Sequence, residues 1–325
     1  LEERMRSDSI GIYLGVLLAL ALAAAAMFWK VLNTPFWSPE DFHALRSAVD
    51  ASVQGSLLSW KPTLAGGYPV NPVLALEFHY FGLEARPYLL VNLGIHIVNA
   101  YLAFLLVNSL LHDRLGAFFS ALLFALTVGS YGKNLMFAAG SSSLVYATCV
   151  LLAMLLYVQN EKRNAARAVG PWAVGFFLVF LASLFMRGGT YSILGAVFVY
   201  NFFFRAERQR PILHTNLKVV LFLAVAAIVG KALLRDGSVT GAVDPGAFLL
   251  NLPSYLILMV LPLQQSEILT DAPVLVQWLY RIAPVLRVFV GLAILSYSLI
   301  GFVFGNRAIR FYIAWMYVMI VPFTL

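Results

Sequence analysis

The sequence predicts an all-α polytopic membrane protein, on three observations. Hydrophobic residues make up 61% of the 325 residues and charged ones 11%, with a mean hydropathy of +0.85, which leaves too little polar side chain to cover a soluble domain. The apolar residues run continuously, as in Gly11 to Phe28, Val219 to Gly230 and Val285 to Phe304, instead of alternating in the short segments of a barrel. Helices therefore cross the bilayer, not strands. The Lys and Arg residues sit in short connections between these runs, so the net charge of +7 reads as membrane topology and excludes a nucleic-acid surface.

Taken in order, residues 1–9 form a cytoplasmic tail and the first helix runs from about Ile10 to Val31. That apolar stretch is too long, and too poor in an A-x-A exit, for a cleaved signal peptide, so it stays as a membrane anchor. Residues 32–86, with Pro35, Pro39, Pro62, Pro69, Pro72, Gly66 and Gly67, form a long first extracytoplasmic loop. Within it Ser38-Pro39-Glu40-Asp41 carries a helix-start signature: Ser at the cap, Pro first in the helix and an acid three residues on. Phe42, Leu45 and Val49 then share one face of a short amphipathic helix.

Further spans are expected at about Pro87–Leu111, Leu115–Gly129, Met136–Val158, Pro171–Met186, Thr190–Phe204, Lys218–Leu234, Phe248–Leu263, Pro284–Phe304 and Ile309–Leu325. Residues 1–325 thus form a single transmembrane domain, and the apolar end at Val321 to Leu325 predicts a chain continuing beyond it. Glu161-Lys162-Arg163 with Arg167, and Arg205 with Arg208 and Arg210, fall on the side of Arg4, Arg6 and Arg114. That side is cytoplasmic, with the N-terminus. Treating Phe248–Leu263, broken by Pro253 and Pro262, as re-entrant brings Arg307 and Arg310 to it as well.

Asn92, His96 and Asn99 recur at i, i+4 and i+7, which puts all three on one face of an otherwise apolar helix. Polar groups inside a bilayer need partners or a wet cavity, so this face is either the lining of a site or hydrogen-bonding glue between helices. Gly116 and Ser120 form a small-x-x-x-small pair suited to helix packing. Cys149 is the only cysteine, so no internal disulfide or thiolate metal site exists, and the five histidines show no ligand spacing. No metal site is assigned, and no cofactor is firmly implied, though a divalent metal remains open.

The order of elements resembles the GT-C class of membrane glycosyltransferases, in particular its protein O-mannosyltransferase-like branch (glycosyltransferase family 39 and tetratricopeptide-tailed relatives). The residues carrying the likeness are Glu40-Asp41, Gly67-Tyr68-Pro69-Val70-Asn71-Pro72, Phe81-Gly82-Leu83, then Asn92, His96, Asn99-Ala100, Leu123-Phe124-Ala125-Leu126 and Gly140-Ser141. The likeness covers most of Trp29 to Tyr200. Where that branch has Arg before Pro this chain has Asn71, where it has Gly-Arg the chain has Gly140-Ser141, and its Lys-Glu is replaced at Arg187-Gly188-Gly189.

The resemblance implies a GT-C-like bundle of about nine or ten transmembrane helices. It implies transfer of a sugar from a polyprenyl-phosphate carrier to a protein or glycan acceptor at the extracytoplasmic face of a bacterial inner membrane. An early-loop carboxylate, Asp41 ahead of Glu40, would act as general base toward the acceptor hydroxyl or position it. Arg187, His96, Asn92 and Asn71 would bind substrate and the lipid phosphate. The alternative is a catalytically degenerate scaffold of the same fold, a subunit of a membrane assembly. A transporter ranks last, because the chain shows neither a clear internal repeat nor buried acids within spans after Glu84.

Overall fold

The structure is a computed structural model that describes residues 2–33, 41–46, 49, 72–126, 135, 137, 140–163, 170–184, 190–204 and 274–324. Every regular element among them is helical: α1 (Glu2–Phe28) with a 3-10 turn at Trp29–Asn33, α2 (Pro72–Phe81), α3 (Ala85–Leu111), α4 (Arg114–Leu126), α5 (Ser141–Arg163), α6 (Pro171–Leu184), α7 (Thr190–Phe204), α8 (Val274–Phe304) and α9 (Arg307–Thr324). Residues 41–46 are helical too. Three stretches, Gly11–Phe28, Ala85–Leu111 and Ser141–Lys162, are long and apolar enough to cross a membrane, which makes the chain an α-helical membrane protein. The expected spans at 218–234 and 248–263, the Arg205–Arg210 cluster and the turns at 130–134 and 187–189 lie outside the described residues.

Backbone contacts divide the chain into two compact units, with the boundary falling inside α7 after Ile193. In the first, α3 is the central helix, packed on α1, α4 and α5, with α6 against α5. Ala117, Ala121 and Ala125 recur every fourth residue of α4 and are wholly buried against Leu20, Ala100 and Phe104. That alanine stripe is the close-packing face of α4 within the first unit. Ser120 is exposed and donates its hydroxyl to the Gly116 carbonyl of its own helix, at 2.8 Å. On the far side Leu115, Phe119 and Leu123 are exposed, as lipid-facing residues of a membrane helix should be.

Helix ends follow local chemistry. His112 takes the left-handed conformation (φ 55°) and its N–H reaches the Asn108 carbonyl at 3.0 Å, ending α3. Asp113 then caps α4, its Oδ1 accepting from the Leu115 N–H at 3.0 Å. Lys162 donates to the Ser109 carbonyl and, at 3.2 Å, to His112 Nε2, tying the end of α5 to the end of α3. Beside it Glu161 is buried, at 3% exposed.

In the second unit, residues 194–204 of α7 pack on α9. A Cβ on Gly195 would run into Val318, and Tyr200 and Phe204 meet Phe311 at 5.9 Å each. Asn306 caps α9 by accepting the Ile309 N–H at 2.9 Å. α8 begins at Val274, not at Pro284 as expected, so Pro284 sits inside a helix. A proline there forfeits one backbone bond without stopping the chain.

Candidate functional site

Three polar residues of α3 face the interior of the first unit, and each has no exposed surface: Asn92, His96 and Asn99. Asn92 Nδ2 donates to the Phe137 carbonyl at 2.8 Å and Asn99 Nδ2 to the Leu144 carbonyl at 2.9 Å. Asn99 Oδ1 accepts from the Thr148 hydroxyl at 2.7 Å. His96 Nε2 lies 3.0 Å from the Ala125 carbonyl, and because a carbonyl only accepts, Nε2 carries the proton. The imidazole thereby ties α3 to α4, stacked on Phe124 at 5.6 Å and edge-on to Phe28 at 5.7 Å. The donors of all three residues hold α3 to α4, to the segment after it and to the first turn of α5.

A second polar group lies where the segment between α1 and α2 meets the bundle. Asp41 is wholly buried, and Leu45, one turn on, packs with Leu74 and Ala75 of α2 and Tyr88 of α3. Leu45 is thus the buried member of the amphipathic face proposed for this segment, while Phe42 is 56% exposed and lies off it. A six-residue stretch turns only part of its circumference toward α2 and α3, and Phe42 falls outside that arc. The Tyr88 hydroxyl donates to the Gly82 carbonyl at 2.6 Å, pinning the corner between α2 and α3, where Gly82 has a positive φ of 58°.

Glu77 of α2 belongs to this corner. It is 5% exposed, and neither carboxyl oxygen has a hydrogen bond of good geometry. The Ser141 hydroxyl, at the start of α5, is its polar neighbour, and the carboxyl interacts electrostatically with the Tyr88 hydroxyl. Burial pushes its pKa up to about 7, with Ser141 pulling weakly the other way. The sequence carried a signal for Glu77 that the Pro-rich setting obscured. Leu74, Glu77, Phe78 and Phe81 are spaced i, i+3, i+4 and i+7, behind a helix-starting Pro72.

On another flank of α3, Val91, Gly94, Ile95 and Val98 with Val145 and Cys149 of α5 line an apolar groove of about 390 Å³. Among the described residues no group of three or more His, Cys, Asp or Glu could hold a metal ion. Glu40, Asn71 and Arg187 lie outside the described residues. Comparison with protein-family models, with curated proteins and with solved structures gives no match.

Proposed function

We propose that the chain is a membrane glycosyltransferase, moving a sugar from a polyprenyl-phosphate carrier to an acceptor hydroxyl at the extracytoplasmic side of a bacterial inner membrane. The observation that carries the reading is the buried carboxyl of Asp41, set soon after α1 at the corner of the 41–46 helix, α2 and α3. A carboxylate sheltered from water is suited to meeting an acceptor hydroxyl, and an apolar groove between α3 and α5 suits an isoprenoid chain. On this reading Glu40 assists Asp41, while Arg187 and Asn71 hold the departing phosphate. The second reading, a scaffold subunit, draws on the polar stripe: Asn92, His96 and Asn99 bond backbone carbonyls, as structural glue does.

Membranes containing the protein, supplied with radiolabelled polyprenyl-phosphate sugars, test the two. The transferase reading expects a labelled acceptor with the unaltered chain and a loss of about 100-fold or more in Asp41→Asn. If no acceptor is labelled and the chain co-purifies stoichiometrically with other membrane proteins, the scaffold reading replaces it.

A further inference from the structure

Asp41 and Glu77 come from separate elements, yet they serve the same small cluster. Leu45, one turn after Asp41, and Leu74, one turn before Glu77, pack on each other and on Tyr88. Two buried carboxyls are thus carried by elements that share one corner of the bundle. Their surroundings differ. Glu77 is held against the N-terminal end of α5, with the Ser141 hydroxyl beside it and no cation among the described residues of α5 before Lys162. The other ionisable groups on the 41–46 helix, on α2 and at the near end of α3 are Asp41, His43, Arg46, His79, Tyr80, Arg86 and Tyr88, of which all but Asp41 and Tyr88 are exposed. None of these described residues forms a hydrogen bond to either Glu77 oxygen.

A buried carboxyl costs the fold more than a leucine or methionine of similar volume would. We propose that Glu77 is the proton acceptor of the transfer reaction, with Asp41 positioning the acceptor hydroxyl. The inference rests on the transferase reading and resolves whether Asp41 itself is the base. In the step, the acceptor O–H bond breaks and its proton passes to a Glu77 oxygen. The freed oxygen pair forms the new bond to the anomeric carbon. The anomeric C–O bond breaks, and its electron pair leaves on the polyprenyl phosphate. Glu77 ends as a neutral carboxylic acid and returns the proton to water before the next turnover. A carboxyl poised near neutrality suits this task, since it is substantially ionised at working pH yet basic enough to hold a proton. With Glu77 5% exposed, the acceptor reaches it only when α2, ten residues long, shifts on α3 and α5.

The test uses the whole chain in membranes and two independent readouts. Dicyclohexylcarbodiimide adds to protonated carboxyls in apolar surroundings, so peptide mass spectrometry should find Glu77 modified at pH 6 and much less at pH 8, with modification abolishing transfer. Transfer by the unaltered protein should rise with pH to a plateau through a midpoint near 7, where the carboxyl ionises. Glu77→Gln, isosteric with the protonated form and so expected to fold, should lower the rate about 100-fold or more and remove that limb of the profile. Glu77→Asp should recover part of the rate. If Glu77→Gln transfers within a few-fold of the unaltered chain, or keeps the same pH limb, Glu77 is not the proton acceptor while the transferase reading survives. If the unaltered chain transfers no sugar at all, both fall together, whatever the carbodiimide labels.

Discussion

Replacing His96 with alanine removes several interactions at once, and their sizes can be set against one another. The bond from Nε2 to the Ala125 carbonyl is of the interhelical kind, worth about 0.6 kcal/mol in a membrane. The stacked contact with Phe124 and the edge contact with Phe28 contribute about 0.5–1.5 kcal/mol each. These overlap with the void left by truncating a wholly buried ring, so the net loss is about 3–5 kcal/mol. His96→Phe keeps the ring contacts and volume and loses the hydrogen bond, so it should cost only about 0.5–1.5 kcal/mol. Equilibrium unfolding in mixed micelles, titrated with a denaturing detergent, orders the three proteins as unaltered, Phe, Ala. A loss under 1 kcal/mol for His96→Ala, or a Phe variant no better than Ala, would refute the account of His96 as a hydrogen-bonded and stacked core residue.

Other outcomes follow from the same contacts. Ala121→Leu should destabilise the first unit by about 1–3 kcal/mol, because the stripe has no room for a larger side chain, whereas Leu123→Ala, 70% exposed, should be near neutral in the same unfolding assay. Asp113→Ala should cost about 1 kcal/mol and raise hydrogen exchange in the first turn of α4. For Glu77 the sign is set by a pKa raised from 4.5 to about 7: docking of α2 is fully supported below pH 4.5, weakens as pH climbs and levels off above 7. The span amounts to about 3 kcal/mol. Exchange of α2 amides, corrected for the intrinsic rate, should show this dependence, and Glu77→Gln should flatten it. Gly195→Ala should weaken the packing of residues 194–204 on α9, read as lowered thermal stability, because the added methyl meets Val318.

The helices were legible where hydrophobicity alone decides them. α3, expected at Pro87–Leu111, is observed at Ala85–Leu111, and α7 matches the expected Thr190–Phe204. Chain ends of helices were less so, because they depend on local bonds. α5 begins at Ser141 and not Met136, after a turn in which the Gly140 N–H bonds the Phe137 carbonyl. α2 escaped notice altogether, since the prolines and glycines upstream read as loop while its own apolar face is only ten residues long. The helical face shared by Asn92, His96 and Asn99 could be read from spacing. Their carbonyl partners could not, for those lie 29 to 45 residues away in sequence. Asp41 was visible through its helix-start motif, whereas the helical spacing around Glu77 was obscured by the prolines and glycines before it.

The tight link between α3 and α4 bears on how the protein is made. Between the two helices there are only His112 and Asp113, already bent and capped for reversal. The Ala125 carbonyl of α4 meets His96, which lies roughly 17 Å along α3 from Ala85, about mid-depth for a helix of that length. During synthesis His96 leaves the ribosome well before Ala125, so the imidazole is in place when that carbonyl arrives. The natural insertion unit is then the α3–α4 hairpin, delivered to the membrane as one piece already bonded across its interior.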